Sequence, residues 1–238
     1  QQDATAEVDR EPRRTESLRG DRIDEVLSRL ESVTTGPEGA LSAAITDADA
    51  GLPDAVTTAA GDWAQLVRGA APTIYYTDDA GLVSVGLRPP IMPDAFTEWR
   101  DGFRIDREWF QPTGRLVFAV VRADVCAVGI YEGDSRTAFE GFESSVKSDH
   151  SKGGFSQDRF ERIRDEQIEE HLAETRETIE TLIDAESPER IIITGEQAVV
   201  GELADMADHT ASTDAGGDPE DAIDHAFADF WTTRLVGI

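Results

Sequence analysis

The chain has 238 residues, 39% of them hydrophobic, with 49 acidic residues against 22 basic ones and a formal net charge of −27. This length supports one large domain or two small ones without disulfide staples; with a mean hydropathy of −0.39 and no apolar run near the ~20 residues that span a bilayer, neither a membrane protein nor a secretory precursor is expected. The single cysteine, Cys126, excludes an intrachain disulfide, and the four scattered histidines His150, His171, His209 and His225 supply no zinc-ligand spacing, so neither a metal nor a cofactor is expected.

Residues 1–20 are polar and charged, carry Pro12, and read as a disordered or weakly helical lead-in. Ile23, Val26, Leu27, Leu30 and Val33 then recur at helical spacing as far as Gly36 and Pro37. A second helix is expected around Leu41, Ala44 and Ile45, and a third, entered through Pro53 and Asp54, around Val56, Ala59, Ala60, Trp63 and Val67. From Thr73 the period becomes two, and the runs 73–77 and 82–87 flank a turn at 78–81 as a hairpin. A proline cluster at 89–93 ends it. Trp99, Phe103, Trp109 and Phe110 read as packing anchors, with base stacking as the minority alternative. Residues 21–110 thus form an N-terminal α/β accessory region.

The clearest strands follow at 115–122, 125–131 and 136–146, joined by short polar turns into an antiparallel meander. A long helix is expected from about Asp158 to Ala185, with Phe160, Ile163, Ile168, Leu172, Ile179, Leu182 and Ile183 along one side. Residues 190–194 are apolar enough for an interior strand, a helix follows near 197–207, 210–217 holds a weak strand, and Asp218 and Pro219 start a last helix. Residues 235–238 are either an edge strand or a packed terminus. The order makes 111–238 a mixed sheet covered by helices. Cys126, inside an apolar run, reads as a small buried hydrophobe rather than a nucleophile.

Between meander and helix lies the one locally basic stretch, 147–164, which contains the only lysines of the chain, Lys147 and Lys152. Elsewhere acidic residues are spread evenly, with Ala, Gly and Thr abundant, the surface composition of a salt-loving microbe. At molar salt the Debye length is ~3 Å, so these carboxylates serve hydration more than partner choice, and the two lysines stand out. Gly153 and Gly154 remove the steric bar to a tight backbone. Ser156 or Asp158 caps the helix, Asp158 having Glu161 at capping-box spacing. Amides at a helix start favour phosphate, and Lys147, His150, Lys152, Arg159, Arg162 and Arg164 surround it with positive charge, so an RNA backbone is the expected counterpart. The blander alternative is a mobile surface loop whose glycines are a hinge and whose Arg162 pairs with Glu166 four residues on.

The run His150, Ser151, Lys152, Gly153, Gly154, Phe155, Ser156, Gln157, followed by Arg159, Phe160, Arg162 and Arg164, resembles the catalytic loop and helix start of archaeal and eukaryotic class I peptide-release factors. It is most similar to the Vms-like release factors, peptidyl-tRNA hydrolases of ribosome-associated quality control, in which a short insert separates the glycines from the glutamine. The resemblance covers about 115–238. It implies an α+β, ribonuclease-H-like catalytic domain with a three-stranded meander, a long helix and further β/α units, preceded by a smaller mixed α/β region. It also implies a cytoplasmic protein whose partners are the large ribosomal subunit and peptidyl-tRNA, not DNA or membrane. Gly153, Gly154, Ser156 and Gln157 would form the reactive tip, Lys152 and Arg159 would hold acceptor-end phosphates, and Lys147, His150, Arg162 and Arg164 would contact RNA.

Phe155 and Ser156 lengthen the tip relative to stop-codon factors, and no stretch resembles their codon-reading domain, so stop-codon termination is not expected. Two other functions fit parts of the sequence: a ribosome-binding stress or hibernation factor whose loop only plugs a functional centre, and a nuclease cutting the tRNA acceptor end. For the nuclease, no Asp and Glu at strand ends can be assigned as metal ligands.

Overall fold

The computed structural model describes residues 10–144 and 157–238. The protein is a mixed α+β chain with two sheets, divided into one unit of residues 1–111 and 231–238 and a second of residues 112–230.

The sheet of the first unit has six strands in the order β1 (Arg14–Leu18), β11 (Thr233–Gly237), β4 (Ser84–Arg88), β3 (Thr73–Asp78), β2 (Ala40–Ile45), β5 (Phe96–Arg100). The expected helix after the lead-in is α1, Asp21–Glu31, which buries Ile23, Leu27 and Leu30, and the hairpin is β3, Thr73–Asp78, with β4, Ser84–Arg88. Elsewhere the first unit departs from the expected elements. The stretch around Leu41 is not a helix but β2, Ala40–Ile45. Each of its six residues is buried, between β3 and β5 in the sheet, and a strand covered on both faces shows no period of two to read. The polar lead-in forms β1, Arg14–Leu18, paired antiparallel with β11, Thr233–Gly237. The carboxyl-terminal segment is an interior strand, flanked by β1 and β4, and belongs to the first unit rather than to a domain running 111–238.

Two short helices, α2 (Asp54–Ala60) and α3 (Ala64–Gly69), with a 3-10 turn at Gly61–Trp63, replace the single third helix. Val56, Ala60 and Val67 from them pack with Leu41, Ala43, Ile45, Tyr75 and Val236. β5, Phe96–Arg100, is an edge strand that leaves Trp99 37% exposed, whereas Trp109 and Phe110 are buried anchors as expected. Arg107 ties the following turn to α1: its guanidinium bonds Glu31 at 3.0 and 2.7 Å and also pairs with Asp24. Arg107, with Gln111 assisting, holds the Asp24 carboxyl below its ordinary range.

The second unit carries the meander as β6 (Arg115–Val121), β7 (Val125–Glu132) and β8 (Ser135–Glu143). The long helix α4, Gln157–Glu186, follows. Then come β9 (Arg190–Gly195), α5 (Gln197–Glu202), β10 (His209–Ser212) and α6 (Pro219–Phe230). The sheet order is β10-β9-β6-β7-β8, with β9 parallel to β6 and β10 parallel to β9. A central first strand flanked by its own meander on one side and by two parallel strands on the other is the ribonuclease-H-like arrangement. Alternation along β6 serves two cores. Val117, Ala119 and Val121 pack with Ile179 and Leu182 of α4 and with Val199 and Val200 of α5. Phe118 faces α6, in edge contact with Phe227 at 5.2 Å, and Tyr131 stacks on the same ring at 4.0 Å.

At the outer edge, burial holds the His209 imidazole below its ordinary value of 6.5; Asp208 opposes this and Arg190 adds to it. The unfolded chain therefore binds the extra proton first, so this contribution is complete above about pH 6.5 and is lost as pH falls below it. The expected result is a melting temperature that falls between about pH 7.5 and 5.5 in the wild type and falls less in His209→Gln, measured by calorimetry.

Candidate functional site

The basic motif falls at the junction of β8 and α4. Lys147, His150, Lys152, Gly153, Gly154 and Ser156 lie outside the described residues. Gln157 is the first residue of α4. Asp158 is therefore inside the first turn rather than at the cap, and the four amides that begin a helix, unbonded within it, belong to the turn headed by Gln157. Arg159 and Arg164 fall in the first eight residues of the same helix. Arg162 is exposed, and its Nε lies 3.8 Å from the carboxylate of Glu166, an exposed pair of little energetic weight.

Arg159, Arg162 and Arg164 stand within the first eight residues of α4, interleaved with Asp158 and Glu161, and Asp165, Glu166, Glu169, Glu170, Glu174 and Glu177 follow; the positive end of the macrodipole suits those first acids and disfavours the arginines among them. Arginine at that end is readily understood if an outside anion faces it.

What holds the junction was not legible in the sequence. Ser144 ends the meander: its amide donates to the carbonyl of Asp124 at 2.8 Å, and its hydroxyl lies 2.6 Å from His171 Nδ1. His171 is on α4 and 2% exposed, with the Phe142 ring edge-on at 5.3 Å. One hydrogen bond thus joins β8, ahead of the motif, to the helix that follows it. Among the described residues, Gln167 Oε1 and His171 Nε2 on the same face are buried without a hydrogen-bond partner. Beside Thr175, burial pushes the Cys126 thiol up to about 12, the Thr175 hydroxyl acting the other way, which makes this cysteine an inert core residue. The only sequence signal for His171 is its place next to Leu172 on the apolar stripe. Ser144→Ala strands a buried ring nitrogen, so it is expected to lower unfolding stability by about 1–3 kcal/mol in a denaturant titration.

Among the described residues no three His, Cys, Asp or Glu side chains gather where a metal ion could be held. None of the described helices is long and apolar enough to cross a membrane.

A family model described as the Actinobacteria/chloroflexi VLRF1 release factor matches residues 114–236, more than half of the chain. The chain belongs to this release-factor family. The VLRF1 match takes in the whole five-stranded sheet and ends on β11, a strand of the first unit. A release-factor role in translation follows from the membership. Among solved structures, an archaeal translation termination factor, aRF1, is 13% identical over 90% of this chain and 73% of its own, with a TM-score of 0.34. A second, described only as an archaeal protein, is 12% identical over 81% of this chain and 66% of its own, with a TM-score of 0.29. No curated protein matches.

Proposed function

We propose that this VLRF1-family chain hydrolyses peptidyl-tRNA on the large ribosomal subunit, releasing nascent peptide from stalled complexes. The observation that carries the reading is the position of Gln157 at the head of a 30-residue helix whose first eight residues include three arginines, with Gly153 and Gly154 just ahead of it in the sequence.

The chemistry is ester hydrolysis. Water adds to the ester carbonyl, the tetrahedral oxyanion collapses, and the ribose oxygen leaves with a proton, giving a free carboxyl and intact deacylated tRNA. The Gln157 amide does not titrate, so its role is to orient water and to donate to the developing oxyanion, not to act as a base. An ester is an activated acyl group. Orientation together with aligned donors, each contributing about 2.7–4 kcal/mol, is sufficient to accelerate its hydrolysis. Lys152 and Arg159 bind acceptor-end phosphates, Lys147, His150, Arg162 and Arg164 extend the RNA contact, and Gly153, Gly154 and Ser156 let the backbone approach the ester closely.

The test is release of labelled peptide from peptidyl-tRNA on isolated large subunits in high salt. Full-length deacylated tRNA is the expected product. Shortened tRNA would instead mark a nuclease, and cosedimentation with subunits without any release would mark a binding factor.

A further inference from the structure

The geometry points to a phosphate-binding pocket in the first unit, away in sequence from the β8–α4 junction: a cavity of about 200 Å³ lined by Arg88 and Arg234 among others. The two arginines are direct cross-strand partners on β4 and β11, so both side chains rise from the same face of the sheet. Like charges placed opposite each other across two strands destabilise a sheet. The conflict is sharper here because the chain has 49 carboxylate residues available to neutralise them, and yet among the described residues neither arginine pairs with one. Arg88 is aimed by backbone instead, its Nε and Nη2 donating to the carbonyls of Pro72 and Ala71 at 2.9 and 3.0 Å. That fixes the guanidinium plane and leaves Nη1 for a ligand.

The remainder of the wall is suited to what a phosphate is attached to. Thr15 and Thr73 contribute hydroxyl-bearing side chains, and Leu66 and Val236 an apolar side. A dianionic or diester phosphate satisfies two guanidinium groups at once, and the apolar wall takes the sugar or base it carries. The phosphate comes from one of two sources, an RNA backbone or a free mononucleotide.

Arg234 is exposed, and among the described residues its side chain makes no recorded hydrogen bond or ion pair, so Arg234→Gln is the variant that tests the site without unfolding it. The full chain is titrated calorimetrically with inorganic phosphate, a mononucleotide and a short single-stranded RNA, at the lowest salt at which it stays folded. Wild type is expected to bind, and Arg234→Gln to bind about tenfold or more weakly with an unchanged melting temperature. Tighter binding of the RNA, with a shallower salt dependence in Arg234→Gln, identifies an RNA backbone; tighter binding of the mononucleotide identifies a free nucleotide. All titrations are also made in a chain whose Lys147 and Lys152 are both replaced by Gln, so that the basic motif contributes less to the signal, and Arg234→Gln is expected to weaken binding in that chain as in wild type; the site thus stands or falls independently of peptide release. Absence of binding by wild type, or equal binding by Arg234→Gln, overturns the proposal.

Discussion

Replacing Gln157 by alanine is expected to cut peptide release about 10²–10³-fold, the usual effect of losing one oxyanion donor, while binding to large subunits stays at the wild-type level. On the proposed reading, binding rests on charge at Lys147, Lys152, Arg159, Arg162 and Arg164, none of which the substitution touches, and it is expected to weaken steeply as salt is raised. Gln157 heads α4, and alanine is a better helix former than glutamine. The fold should therefore be unaffected, and a loss of release is read as chemistry. Single-turnover release on subunits charged with labelled peptidyl-tRNA, alongside sedimentation of the same samples, separates the two. Release retained by the alanine variant would remove the glutamine from the mechanism. Release and binding lost together would assign it to docking instead.

Gly195→Ala is expected to destabilise the second unit by more than about 3 kcal/mol, because overpacking and backbone strain act at the same atom. Gly195 ends β9 with φ +138°, and a Cβ built there would lie 1.9 Å from the carbonyl oxygen of Val121 on β6. That oxygen cannot retreat: it accepts the amide of Glu196 at 3.0 Å, and Gly195 itself accepts from Thr213 at 3.0 Å. β6 and β9 form the parallel centre of the sheet, so displacing either one opens the face on which α4 packs. Gly201→Ala is the matched control. It sits in helix α5 with nothing within 4 Å of its would-be Cβ, so alanine there is expected to be neutral or to add up to ~1 kcal/mol. A Gly195→Ala protein melting within a degree or two of wild type would show that the β6–β9 approach is looser than described.

The meander, α4 and β9 were legible in the sequence because each is specified by residues close together in it. Apolar runs of the right length in β6 and β7 are separated by short polar turns, and in α4 the side chains from Leu172 to Ile183 repeat at helical spacing and pack into the core. The basic motif stands out in the sequence because its lysines are conspicuous against an acidic chain, and those lysines lie outside the described residues. The first sheet was not. β1 has the sequence of a lead-in and β5 that of a loop, since edge strands need only half a buried face, and β2 is buried on both and shows no alternation. β11 could be read as a packed end, because nothing near it specifies that its partners are residues 14–18 and 85–88.

The sequence by itself therefore determined the elements whose information is local: a ribonuclease-H-like order of strands and helices, and the run Gly153, Gly154, Phe155, Ser156, Gln157 ahead of a helix start that carries arginines. Only the tertiary structure decided which strands meet across the whole length of the chain, and with them the Ser144–His171 bond and the Arg88–Arg234 pair. Period and turn chemistry act over a few residues, whereas strand partners and buried polar contacts depend on which distant surfaces exclude water together.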